Sequence, residues 1–300
     1  MRLRVRVPAS TANLGPGFDA LALALALYNE VVAEESDGVR VAVEGEGAGR
    51  LPADERNVVA RGVRGAYEAA GRRFRGCTLA CVNRIPPARG LGSSAAAWVG
   101  GLVAGNALLG APLSREALLT LAARAEGHPD NVAAALFGGL TVSCASPDGV
   151  MALTLPVASR LTWVVLIPEI TGSTAEARAV LPPTVSRLDA VFNVQRVALL
   201  LAALQADRPD RLPPALEDRL HEPYRLALFP WMTEVAAAAR RAGALGCVLS
   251  GAGPSLLAVV TGEGSKVARA MEEALRSAGI GGAARALEVD RQGAVVEPLA

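Results

Sequence analysis

The segment Ile85-Pro86-Pro87-Ala88-Arg89-Gly90-Leu91-Gly92-Ser93-Ser94-Ala95-Ala96 constrains this chain more than any other, because a glycine-punctuated turn must open directly into a helix of small side chains. Gly90 and Gly92 can adopt backbone angles closed to other residues and let a ligand approach the main chain. The helix that they open presents N–H groups without partners and a partial positive charge. That combination is a phosphate cradle, and a nucleotide is its natural guest. The plain alternative is a loop-to-helix turn with a serine N-cap; the paired serines and the Ala run behind them weigh against it.

What the chain lacks narrows the kind of cradle. A Walker-type loop needs Gly-Lys-Ser/Thr, and a protein kinase needs a strand lysine on the phosphates. The single lysine here is Lys266, far into the C-terminal half. The phosphates are therefore expected to rest on backbone N–H groups, the helix end, Ser93, Ser94, Arg89 and a divalent cation.

At 300 residues the chain lies between one large domain and two ordinary ones, and 51% hydrophobic content is ample for a core. A net charge of +1 with 4% aromatic residues offers no basic surplus and no stacking set for nucleic acid. Cys77, Cys81, Cys144 and Cys247 have no paired metal spacing, with only His128 and His221 to join them, and read as reduced core residues. Arg2, Arg4 and Arg6 before the apolar run 20–28 superficially imitate a signal peptide, but Pro8, Pro16 and Asp19 break the pattern. That run falls far short of the ~20 residues of a spanning helix. No membrane association and a cytoplasmic location are expected.

Period-two alternation predicts strands at 3–7 and 21–33, with others at 39–44 and 77–83 and a helix over 57–71. The loop between the first two strands, Pro8 to Asp19, sets polar side chains among Gly and Pro and is a ligand-loop candidate. Helix 93–109 is apolar nearly all round, which predicts burial at the centre of its domain. Ser114 caps a helix to about Ala125, which ends at Glu126-Gly127-His128-Pro129-Asp130-Asn131. With Asp19, this cluster is a candidate chemical centre.

A strand pair near 140–155 precedes strand 161–167, helices 186–206 and 230–242, strands 246–250 and 256–260, helix 264–278 and strand 283–288. That order approximates a ferredoxin-like split β-α-β unit with an insertion. The expected class is α+β, with domains 1–155 and 156–300. The turn Leu249-Ser250-Gly251-Ala252-Gly253-Pro254-Ser255 reads either as a hairpin or as a backbone loop closing over phosphate or substrate.

Three Gly/Ser elements in this order, PASTANLGPGFDALALAL, PPARGLGSSAAA and LSGAGPSLLAVV, resemble the three motifs of the GHMP small-molecule kinases. Within that superfamily the chain is most similar to the homoserine kinases, through Asn13 and Asp19, EGHPDNVAAALFGG, Ser173 to Arg178, DAVFN and EPYR, so that the match spans nearly the whole chain. The resemblance implies a two-layer architecture, a ribosomal-protein-S5-like N-terminal domain followed by a ferredoxin-like one. It implies transfer of the ATP γ-phosphoryl group to the side-chain hydroxyl of L-homoserine, with Mg²⁺, in threonine biosynthesis, by a homodimer.

Residue by residue, it implies that Pro87, Ala88, Arg89, Gly90, Leu91, Gly92, Ser93, Ser94, Ala95, Ala96 and Ala97 form the ATP phosphate loop and that Asn57 lies near the adenine. Ser94 and Glu126 match the magnesium ligands. Asn13, Asp19, His128, Asn131, Thr174, Arg178 and Arg225 match the amino-acid pocket, with Asp19 for the ammonium and the two arginines for the carboxylate. Asn131, Glu126 and Arg178 are the expected catalytic residues; Asp130 stands where some sibling kinases place a base, whereas orientation of the hydroxyl by Asn131 is the favoured reading. Rival readings are a GHMP kinase for mevalonate, an isoprenoid precursor or a sugar, a non-catalytic relative, and a serine hydrolase using Ser93 or Ser94 with His128. The last lacks the closing glycine of a nucleophile elbow.

Overall fold

Apolar alternation at the N-terminus produces β1 (Arg2–Ala12), which pairs antiparallel with β2 (Leu21–Glu35) from Arg2↔Glu34 to Ala12↔Ala22. The register shifts between Pro8 and Ala9, where proline has no N–H to give the ladder. The strand thus runs on to Ala12, through the first part of what reads as loop in the sequence. The computed structural model describes residues 1–157 and 160–299; residues 158, 159 and 300, all in the expected second domain, lie outside the described residues.

After β3 (Gly38–Gly45) come α1 (Val58–Ala69), β4 (Gly76–Asn83), α2 (Ser93–Leu108), α3 (Arg115–Glu126), α4 (Asp130–Phe137), β5 (Leu140–Ser146) and β6 (Gly149–Leu155). The first sheet has the order β11-β1-β2-β4-β3, with β5 on β2 and β6 on β5, and every pairing is antiparallel except β3 with β4. α2 packs on β1 and β2 and touches α1, α3 and α4, the central position that its all-round apolar surface predicts.

The chain then forms β7 (Leu161–Pro168), α5 (Thr174–Ala179), α6 (Arg187–Gln205), α7 (Leu212–Ala215), α8 (Glu222–Arg225), α9 (Met232–Arg241), β8 (Gly246–Leu249), β9 (Leu256–Thr261), α10 (Ser265–Ser277) and β10 (Gly282–Leu287). The second sheet is antiparallel in the order β10-β7-β9-β8. Strands β7, β8 and β9 are buried on both faces, whereas the edge strand β10 is largely exposed: Val164 and Leu166 join Val235, Met271 and Leu275 under α9 and α10, while Trp163 and Val165 belong to the core shared with the first sheet. β11 (Val295–Leu299) then returns the chain to the first sheet beside β1.

The α+β class and two layers of helix and sheet are as expected, whereas α4, α5, α7, α8 and β11 have no counterpart in the sequence reading. One cysteine departs from expectation: Cys77, Cys81 and Cys247 are buried free thiols, pushed up to about 11, 12 and 12 by desolvation, but Cys144 is exposed on β5. Among the described residues, α6 is the one helix long and apolar enough to cross a membrane by composition. Its Asn193 donates to Pro16 O and to Asp218, and Arg196 pairs with Glu217, so this helix is tied to the protein.

Candidate active site between the two sheets

Three chain segments far apart in sequence are fastened to one another before any ligand is considered. Ser250 Oγ donates to Gly90 O at 2.7 Å and lies 2.8 Å from Thr11 Oγ1, while Gly251 N donates to Ala12 O. Asn13 Nδ2 and Arg225 Nη1 both donate to Gly251 O, at 3.1 and 3.0 Å. The late glycine turn is therefore more than a hairpin: it joins the end of β1 to the phosphate-type loop, and Gly251 and Ala252 line the cavity that results.

The loop ends at Gly92, the N-cap of α2, in the left-handed conformation with φ 68° and no side-chain cap bond. Ser93 is therefore the first helical residue and not the cap, and the opening N–H groups of α2 are left for a ligand. Ser93 Oγ donates to Ile85 O, and Ser94 Oγ donates to Glu126 Oε2 at 2.7 Å, across from the C-terminal end of α3. Arg89 is turned away from its expected use, because its Nε and Nη2 donate to Pro168 O and Glu169 O at the end of β7. The residue remains part of the cavity wall.

Opposite the loop, Pro129 and Asp130 start α4 and place Asn131 in its first turn. Asn131 Nδ2 donates to Ser10 Oγ at 2.9 Å. One oxygen of Asp130 accepts from both His128 Nδ1 and Asn131 N, each at 2.6 Å. A carboxylate on His128 Nδ1 is half of a hydrolase triad, but the other half is not formed among the described residues: the Ser93 and Ser94 hydroxyls donate to Ile85 O and Glu126, not to His128. Burial pulls the His128 pKa down, but the hydrogen bond and charge of Asp130 outweigh it and hold the imidazole above its ordinary value.

That balance gives a test in a protein with two histidines. In nucleotide-free and cation-free protein, an NMR titration should find His128 above its usual pKa, and Asp130→Asn should lower it, because the Asp130 charge is lost while burial and the Arg178 charge still oppose protonation and Glu126 alone favours it. An unchanged titration would mean that Asp130 does not govern it.

The third wall comes from the Asn13–Asp19 loop and α5. Asn13 Oδ1 accepts from Asp19 N, fixing the turn that presents the Asp19 carboxylate. Arg178 donates to both Asp19 oxygens, at 3.0 and 2.7 Å, and Thr174 opens α5 at the cavity edge. Arg225 is 2% exposed, with no carboxylate in ion-pair contact among the described residues; burial and then the Arg178 charge lower its pKa to about 10.

Every residue expected in the amino-acid pocket, with Gly90, Gly92, Ser93, Ser94 and Glu126, lines this one cavity. Asn57 is not brought to it. Its side chain accepts from Val59 N and donates to Pro52 O, the work of an N-cap on α1. Phe18 is a lining residue that sequence reasoning missed: the Arg178 and Arg225 guanidinium carbons lie 5.6 and 5.5 Å from its ring centre. Ser10 and His221 were missed as partners, since Ser10 meets Asn131, and His221 meets Gly15 and Phe18, only across more than a hundred residues of chain.

Comparison with known proteins places this geometry. The GHMP kinases N terminal domain matches residues 57–139, and the GHMP kinases C terminal domain matches residues 200–277. A homoserine kinase of Moorella thermoacetica is 47% identical over 292 residues, covering 97% of this chain and 99% of that protein. One of Streptomyces coelicolor is 44% identical over 302 residues, covering 99% and 95%. The crystal structure of homoserine kinase from Cytophaga hutchinsonii superposes with a TM-score of 0.90 at 34% identity, covering 99% of this chain and 97% of that one. L. major mevalonate kinase, at 18% identity and a TM-score of 0.66, shares the fold. The chain belongs to the GHMP kinases, in the homoserine kinase branch of that family.

Proposed function

We propose that this chain transfers the γ-phosphoryl group of ATP to the side-chain hydroxyl of L-homoserine, giving O-phospho-L-homoserine and ADP. The observation that carries the choice of acceptor is the charge pattern of the wall facing the phosphate loop. Asp19 offers a carboxylate for an ammonium, and Arg178 and the carboxylate-free Arg225 offer guanidinium groups for a carboxylate, within one cavity. Asp19 is already paired with Arg178, and an amino acid brings both an ammonium for the carboxylate and a carboxylate for the guanidinium, whereas mevalonate and sugars bring no ammonium.

In this reading the uncapped start of α2 and the backbone of residues 87–97 cradle the phosphates. Asn131, held by Ser10, orients the acceptor hydroxyl, and His128 and Thr174 complete the pocket. Asp130 has one oxygen committed to His128 and to its neighbour's N–H, which favours orientation over proton abstraction. A loose phosphoryl-transfer transition state asks little activation of the nucleophile. Arg178 adds positive charge beside the transferring group.

Ser94 Oγ and the Glu126 carboxylate meet at 2.7 Å beside the phosphate cradle. One carboxylate and one hydroxyl, both hard oxygen donors, suit Mg²⁺, which prefers few protein ligands and completes its shell with phosphate and water. When bound, the ion would neutralise charge on the β- and γ-phosphate oxygens. Free buried thiols accord with a cytoplasmic location. A homodimer is part of the same reading, supported by exposed Leu188, Val191 and Val194 along α6; light scattering on the purified protein tests it.

The direct test is ADP release across homoserine, mevalonate, shikimate and a sugar panel, where turnover confined to homoserine is expected and none above background would sink the proposal. Asp19→Asn should raise KM for homoserine about 10²-fold, the worth of a hydrogen-bonded charge partner, and leave KM for ATP within a factor of a few. An unchanged homoserine KM would remove Asp19 from the ammonium site.

A further inference from the structure

Beneath the pocket lies a buried polar cluster that the proposed reaction does not use directly, and His221 is its centre. The residue is fully buried, and both ring nitrogens are engaged in different directions. Nε2 donates to Gly15 O at 2.8 Å, and Nδ1 accepts from Arg225 Nη1 at 3.1 Å. The ring stacks on Phe18 with centroids 5.1 Å apart and planes at 22°. This pattern fits only the neutral Nε2–H tautomer, since a protonated ring offers Arg225 no acceptor. Burial first, and the Arg225 charge after the opposing pull of Asp218, keep the imidazole neutral.

The rest of the cluster holds His221 in place. Asp218 accepts from the backbone N–H groups of Leu220, His221 and Glu222 and from Asn193 Nδ2, which also donates to Pro16 O. Asn193 and His221 therefore grip consecutive carbonyls of the loop that carries Phe18 and Asp19. On its other side, His221 supplies one of three fixed contacts of Arg225, whose Nε and Nη1 also donate to Ala177 O and Gly251 O. Nη2 has no hydrogen-bond partner among the described residues, and Arg225 lines the cavity.

We propose that His221 is the positioning residue for substrate carboxylate recognition: it fixes the Arg225 guanidinium so that Nη2 faces the pocket, and it couples that arginine to the loop bearing Phe18 and Asp19. The inference rests on the reading of Arg225 as a carboxylate ligand. A side chain with three free donors and a long stem would otherwise sample several rotamers, and binding would have to order it.

The two amides separate the two bonds. His221→Asn keeps an acceptor near Nδ1, on the Arg225 side, whereas His221→Gln keeps a polar atom near Nε2, on the Gly15 side. The bond to Arg225 is charge-assisted, so H221Q should raise KM for homoserine about 10–100-fold and H221N by no more than about 5-fold. KM for ATP should stay constant in both. 3-Aminopropan-1-ol, which is homoserine without its carboxylate, should show kcat/KM changed less than about 3-fold by H221Q, because Arg225 has nothing to bind there.

Equal losses for the two acceptors, or equal effects of H221N and H221Q, would make His221 merely structural and overturn the inference. Arg225→Ala is the control. If it leaves homoserine KM unchanged, the carboxylate reading itself fails; if it raises KM while H221Q does not, only the role of His221 falls.

Discussion

Replacing Glu126 with Ala is expected to lower kcat by about 10²–10³-fold, since metal-assisted charge stabilisation supplies several kcal/mol at about 1.4 kcal/mol per decade. The melting temperature should move by no more than about 2 °C. The two halves of this expectation have different origins. Glu126 is the last residue of α3, where the helix dipole disfavours a negative charge, and its one hydrogen bond is the exposed contact from Ser94. Its removal relieves the dipole conflict and loses a surface bond, two small and opposing changes. An acid at a helix C-terminus is poorly explained by stability and well explained by a cation. The Mg²⁺ concentration for half-maximal rate should rise in Glu126→Ala, and Ser94→Ala should show the same shift at about one-tenth the size in rate. A variant with parental Mg²⁺ dependence would remove Glu126 from the metal site.

The phosphate loop and the late turn were legible because glycine and proline interrupt hydrophobic periodicity, and small polar residues at such breaks have no core to fill. Asp19 and the Glu126–Asn131 cluster could be singled out for the same reason. α4 was not legible: its eight residues are too few for a period, and its buried Val132 to Leu136 run has no polar face to contrast. β11 pairs with β1 from the opposite end of the chain, and five residues reading VVEPL, with a proline inside, argue locally against a strand. Phe18 reads as one more apolar residue in a loop; its importance comes from His221 and two arginines that meet it only in three dimensions. Asn57, matched by resemblance to a position near the adenine, has its side chain engaged in capping α1. Motif spacing thus recovers residues whose neighbours along the chain are also their neighbours in space. It does not recover the partners that orient them.

Gly92→Ala should cost about 2–5 kcal/mol, combining the left-handed backbone penalty of about 1–2 kcal/mol with overpacking of about 1–3 kcal/mol. At about 2–4 °C per kcal/mol, the melting temperature should fall by about 4–20 °C. The overpacking is specific: a Cβ at Gly92 would stand 2.2 Å from Ser10 Oγ and 3.1 Å from Asn131 Nδ2. Ser10 is wholly buried in β1 and cannot swing away, so the methyl group must displace the hydroxyl that holds Asn131. The same strain tilts the first N–H groups of α2, and misplacement of about 1 Å costs about 10²-fold in rate. With nucleotide cradle and acceptor-orienting amide disturbed together, kcat/KM should fall by about 10³-fold or more. Adding Ser10→Ala removes the atom at 2.2 Å and leaves Ser10 Cβ at 3.4 Å, so the double variant should regain much of the lost melting temperature. It should not regain activity, because Asn131 Nδ2 then has no hydroxyl to bond and remains free to rotate. Recovery of both would mean that the Ser10–Asn131 bond serves packing alone, and a parental KM for ATP in Gly92→Ala would mean that the nucleotide phosphates do not rest on this turn.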